Sequence, residues 1–152
     1  MNTWIPADGH PRLQGFLEDA SAVEGVDSDR VHVMGFSQGG FATWNLLCLA
    51  SATVCSVAPL AASGRDSWGA GYGSTCFDSG PGPAVQRPIF YTTGRLDRLA
   101  PMVNGNAQRD YVLEDYGLSD STDTYHSEQY TTRIWSGPGQ TTFRYVCLRN
   151  FS

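Results

Sequence analysis

Apolar residues along this chain recur with two different periods, and the switching between them lays out a series of elements. Leu13, Phe16, Leu17 and Ala20 stand at i, i+3, i+4 and i+7, which predicts an amphipathic helix over residues 12–24. Gly25 ends it, and the polar turn Asp27-Ser28-Asp29-Arg30 leads into a short apolar run, Val31-His32-Val33-Met34. After a glycine-rich corner, Phe41 to Cys48 reads as a second helix, and Val54 to Leu60 as a buried strand. Residues 62–87 hold many glycines and prolines together with Trp68, Tyr72 and Cys76, which suits a long ordered loop. Pro88 to Thr93 forms a third strand that ends at Gly94-Arg95-Leu96-Asp97. Val103, Ala107 and Tyr111 recur every four residues and predict a helix over 102–117. A polar, acidic stretch over 119–129 then precedes two last strands, and in the second of them Phe143, Tyr145 and Cys147 alternate with Arg144, Val146 and Leu148. Strands near 31–36, 54–60, 88–93, 131–136 and 142–148, with helices between them, imply an α/β fold: a mostly parallel sheet with flanking helices. No internal repeat or boundary interrupts it, so 1–152 reads as a single domain.

The corner before the second helix carries the most specific chemistry. Gly35-Phe36-Ser37-Gln38-Gly39 is a G-x-S-x-G pentad between a strand and a helix, the context of a nucleophile elbow. At such a corner the serine takes strained backbone angles, and the glycines on either side leave room for it. Its hydroxyl then stands at a helix N-terminus, where the dipole favours developing negative charge. The backbone N–H of Gln38, the residue after the serine, is the candidate oxyanion donor. Asp97 is the candidate acid: it follows Ser37 in the chain and lies just past a buried strand. In a parallel sheet both residues fall on the carboxyl rim. The alternative for Asp97 is a surface turn residue ion-paired with Arg95 or Arg98.

The base is harder to place. His10 and His32 precede Ser37, and His32, set between valines in mid-strand, reads as a packed core imidazole. His126 alone follows Asp97, but it precedes two strands and reads as a solvated loop residue, with a base role as its alternative. No H-G-G loop precedes Ser37 to provide a second oxyanion donor.

Composition narrows the function classes. The net charge of −5 and the lack of a basic stripe argue against nucleic acid as a partner, and no apolar run approaches the length of a membrane span. No metal site or cofactor is expected, because no His, Cys or carboxylate spacing supports one. Cys48, Cys55, Cys76 and Cys147 allow three disulfide pairings, and an even count beside a glycine-rich loop suits an exported protein.

The segment Asp29-Arg30-Val31-His32-Val33-Met34-Gly35-Phe36-Ser37-Gln38-Gly39-Gly40, with Gly94-Arg95-Leu96-Asp97 after a later strand, resembles the polyhydroxybutyrate depolymerase and feruloyl esterase group of secreted α/β-hydrolases. The resemblance runs from the helix at 12–24 to the strand at 142–148. It implies Ser37 as nucleophile, Asp97 as triad acid and Gln38 as donor residue. It also implies a secreted or extracytoplasmic location, and a polyester or a feruloyl or acetyl ester on polysaccharide as substrate. In that family the elbow ends the fifth of eight strands and the histidine follows the eighth. The chain would then be the C-terminal part of a longer hydrolase, nearly inactive by itself, with Trp68 and Tyr72 lining a pocket. Two rivals stand beside this expectation: a carbohydrate- or polymer-binding module using Trp4, Trp68, Tyr72 and Trp135, and a degenerate hydrolase relic. The sequon Asn150-Phe151-Ser152 adds nothing to the choice.

Overall fold

Helical crossovers set the direction of the central strands. In the computed structural model, which describes residues 10–62, 76–121, 123–137 and 141–149, helix α1 (His10–Ser21) leads through a 3₁₀ turn (Ser28–Arg30) to strand β1 (His32–Phe36). Helix α2 (Gln38–Ala50) carries the chain to β2 (Ser56–Leu60), and a segment containing the one-turn helix α3 (Cys76–Ser79) carries it to β3 (Ile89–Gly94). Helix α4 (Met102–Tyr116) is followed by β4 (Asp123–His126), β5 (Tyr130–Ser136) and β6 (Thr142–Leu148). The strand order is β1-β2-β3-β6-β5-β4. Strands β1, β2, β3 and β6 pair in parallel, while β5 and β4 add as antiparallel hairpin strands.

Strand β4 falls inside the polar stretch 119–129, which carried no strand pattern. It is an edge strand whose Tyr125 and His126 are exposed, so neither face selects an apolar alternation. Its pairing rests on a serine turn: Ser127 N–H donates to the carbonyl of Tyr130 (2.9 Å), and Ser127 Oγ accepts from the N–H groups of Gln129 and Tyr130.

The core lies on one face of the sheet. Gly35, Pro59, Tyr91 and Tyr145 form one row across β1, β2, β3 and β6, and α2 and α4 cover that row. Trp44 of α2 packs edge-on against Tyr91 (ring centroids 5.2 Å apart) and against Phe77 of α3, and Phe77 meets Tyr116 of α4. Trp44, Leu47, Val54, Tyr91, Val112 and Phe143 are inaccessible to solvent. A disulfide between Cys48 and Cys76 ties α2 to α3, leaving Cys55 and Cys147 as thiols.

Three expectations are corrected. The helices whose packing is described all lie on the Tyr91 face or on each other, so they do not flank both sides: Met34, Phe36 and Phe90 on the opposite face stay exposed. Among the α1 residues whose burial is described, only Leu17 is buried and Phe16 is 70% exposed, because α1 packs chiefly against α2. In α4 the buried positions are Gly105, Gln108, Val112 and Tyr116, whereas Val103 is 71% exposed. The buried stripe there includes a glycine and a glutamine, which a search for apolar residues passes over. Gly105 is needed because a Cβ would sit 2.7 Å from Thr93 Cγ2, so α4 approaches β3 closely there.

Candidate active site

Strand β1 ends at Phe36 and α2 begins at Gln38, leaving Ser37 alone to turn the chain. It does so with φ 53° and ψ −117°, a conformation that side-chain-bearing residues rarely adopt and that costs about 1–3 kcal/mol. A serine preceding a helix ordinarily turns its oxygen onto the first-turn N–H groups. Ser37 makes no such capping bond. Its backbone is clamped instead: Ser37 N–H donates to the Leu60 carbonyl (2.9 Å), and its own carbonyl accepts from Phe41 N–H (3.1 Å).

The room for this corner comes from Gly35 and Gly40. A Cβ at Gly35 would run into the Gly39 carbonyl and stand 2.8 Å from Thr43 Oγ1; one at Gly40 would meet Leu60 O at 2.8 Å and the Ala62 methyl. Around Gly39 the space is open for 4 Å, so its place in the pentad is not sterically required. Gln38, as the first residue of α2, has an N–H with no intrahelical acceptor. Next along the rim, Ala61 also has a positive φ (49°), and Trp44 Nε1 donates to the Ala62 carbonyl (2.9 Å), fixing the end of β2 onto the elbow helix.

Asp97 lies three residues past β3 on the rim that carries Ser37, since β1, β2 and β3 run in parallel. Two strand spacings separate them laterally, about 10 Å. The half-buried carboxylate is held by its own turn, with Oδ1 accepting from Leu99 N–H (2.8 Å) and Ala100 N–H (2.9 Å). No ion pair to Arg95 or Arg98 forms.

Neither His32 nor His126 completes the set. His32 is exposed rather than packed, because it begins β1 on the uncovered face, where Nδ1 pairs with Ser56 Oγ (2.7 Å). It sits at the opposite end of β1 from Ser37. His126 is on β4, five strands from β1 and thus about 24 Å away laterally, with Thr131 as its neighbour. Trp4, Trp68, Tyr72 and the 150–152 sequon lie outside the described residues. Trp135, expected on an exposed aromatic surface, is buried and stacked on Phe143 (5.5 Å).

Among the described residues, no group of three or more His, Cys, Asp or Glu is placed to hold a metal, and no helix is long and apolar enough to cross a membrane. One cluster had no linear signature: Arg95, Arg109, Arg133 and Arg149, dispersed in sequence, line a common pocket. The shared parity of Arg95, Arg133 and Arg149 on or just past neighbouring strands is the one hint the sequence held, and Arg109 on α4 had none. No protein-family model matches the chain, and neither does any curated protein sequence.

Proposed function

We propose that this chain carries the nucleophile and acid of a serine ester hydrolase of the α/β-hydrolase type, acting through an acyl-serine intermediate. The backbone of Ser37 carries the reading: a strained corner that holds a hydroxyl off its own helix cap at a parallel sheet's carboxyl rim. Ser37 Oγ attacks the ester carbonyl as its proton passes to a base. The Gln38 N–H stabilises the oxyanion, the alcohol leaves with that proton, and water then releases the acid. Asp97 orients the base, a histidine that His32 and His126 do not provide. The resemblance of the elbow segment favours hydroxyalkanoate polyester, or feruloyl or acetyl esters on polysaccharide, as substrates. The Cys48–Cys76 disulfide favours an extracytoplasmic site of action.

Hydrolysis of p-nitrophenyl acetate by the 152-residue chain tests the assignment. The expected turnover is only the residual level left when a triad member is missing, about 10³–10⁴ over water. Added imidazole, standing in for the base, should raise turnover above the protein-free blank, and that increment should disappear in Ser37→Ala and persist in His126→Ala. An imidazole-dependent increment unaffected by Ser37→Ala would end the reading. The placement of His32 and His126 away from Ser37 favours one alternative, a non-catalytic hydrolase-like module, which would show no Ser37-dependent turnover at all.

A further inference from the structure

Four of the chain's ten arginines converge on one pocket of about 610 Å³, although the protein is acidic overall and contains no lysine. The convergence follows from register. On the covered face, Arg133 of β5 is directly opposite Tyr145 of β6, and Arg149 continues the row of Tyr145 and Cys147. Arg95, just past β3, follows Thr93 by two, and its N–H donates to the carbonyl of Leu148 (2.8 Å), which sets Arg95 and Arg149 side by side. Arg109 reaches in from α4.

Arg109 is held in place. Tyr145 OH donates to Asn106 Oδ1 (3.0 Å), Arg109 Nη1 donates to the same oxygen (3.1 Å), and the guanidinium lies 5.4 Å from the Tyr145 ring centre. Asp110 pairs with it from the solvent side. Arg95, Arg133 and Arg149 have no carboxylate within ion-pair distance among the described residues. Placing like charges next to one another on adjacent strands is unfavourable unless an anion lies between them. A planar guanidinium also matches carboxylate and phosphate oxygens two at a time, which makes arginine the residue suited to such a ligand.

We infer that this pocket binds a small organic or inorganic polyanion, one bearing two or more carboxylate or phosphate groups spanned by Arg95, Arg133, Arg149 and Arg109. Met102 and Cys147 give it an apolar floor for a short carbon skeleton. Ser37 does not line this pocket, and the inference does not depend on ester chemistry.

Isothermal titration with citrate and with inorganic pyrophosphate, at low and equal ionic strength, tests it. At least one of the two should bind saturably at one site, and the tighter of them identifies carboxylate or phosphate as the native chemistry. The exposed pair Arg133→Gln/Arg149→Gln should weaken binding roughly tenfold or more, since charge-assisted bidentate bonds are lost. Arg144→Gln removes the same charge from the opposite face of the sheet and should leave affinity within about twofold, because screened long-range terms are small. Melting temperatures of the variants check that each is folded. Failure of both anions to bind saturably, or equal weakening by Arg144→Gln, would overturn the assignment.

Discussion

At the scale of single residues, the corner at Ser37 makes demands that differ sharply between neighbouring glycines. Gly35→Ala and Gly40→Ala force a methyl into backbone atoms and should each cost about 2–4 kcal/mol in urea unfolding, in line with other overpacked sites. Gly39→Ala meets open space in the first turn of α2 and should be neutral or stabilising by about 0.5–1 kcal/mol. A match to the pentad treats the two glycines beside the serine alike; only the packing separates them. Tyr91 gives a second residue-level test. Its hydroxyl is buried with no hydrogen-bond partner among the described residues, and burial holds its pKa well above the ordinary 10.0. Tyr91→Phe should therefore leave stability unchanged or raise it by about 1 kcal/mol. Loss of more than that would reveal a partner.

At the scale of elements, the parallel strands and their crossovers were legible because buried strands are continuously apolar and are bounded by glycine, proline or polar turns. Val54 to Leu60 and Pro88 to Thr93 show this, and Val31 to Phe36 reads the same way although its strand is an exposed edge; each differs from the observed strand by at most two residues. Strand β4 was not legible, since an edge strand exposed on both faces needs no apolar pattern. The buried face of α4 was misread because close approach, rather than hydrophobicity, selects Gly105. The attachment of α3 was hidden for another reason: four cysteines do not state their own pairing. The Cys48–Cys76 bridge closes a loop of 28 residues, so its reduction should cost about 3–4 kcal/mol by the chain-entropy argument. Unfolding in urea with and without reductant measures this. Arg87 supports the same region by donating to the Ser51 (2.7 Å) and Ala52 (3.1 Å) carbonyls at the C-terminus of α2.

At the scale of the whole molecule, the described helices cover one side of the sheet, and among the described residues large apolar side chains stand exposed on the other. Met34 (72% exposed) and Phe36 (60%) lie on the edge strand β1, with Phe90 (40%) on the same open face. A hydrophobic dye should bind this face, and Met34→Ser/Phe36→Ser should reduce the dye signal while changing stability by no more than about 0.5 kcal/mol. The tyrosines under the helices set the alkaline limit. Burial raises the pKa of Tyr91 and Tyr145, and takes that of Tyr116 from 10.0 to about 12. Below pH 10 these phenols are protonated in both states and their contribution is fully present. Above pH 10 the unfolded chain ionises first, so stability should fall by about 1.4 kcal/mol per pH unit for each of them. For Tyr116 the loss runs from the ordinary 10.0 until about pH 12. A melting temperature that stays flat from pH 9 to 12 would contradict the buried placement.

The candidate site was legible only in part. The strained corner at Ser37 and the position of Asp97 past β3 follow from a five-residue pattern and a strand end, both local in sequence. The distance of His126 from Ser37 and the arginine pocket depend on which strands become neighbours, which no local pattern encodes. The elbow itself is tested most directly by covalent trapping: the chain is incubated with a fluorophosphonate, with and without added imidazole, and the adduct is mapped by mass spectrometry. The account predicts a slow, single adduct on Ser37 that imidazole accelerates and Ser37→Ala abolishes. A folded chain that forms no adduct under these conditions, or forms one elsewhere that survives Ser37→Ala, would contradict it.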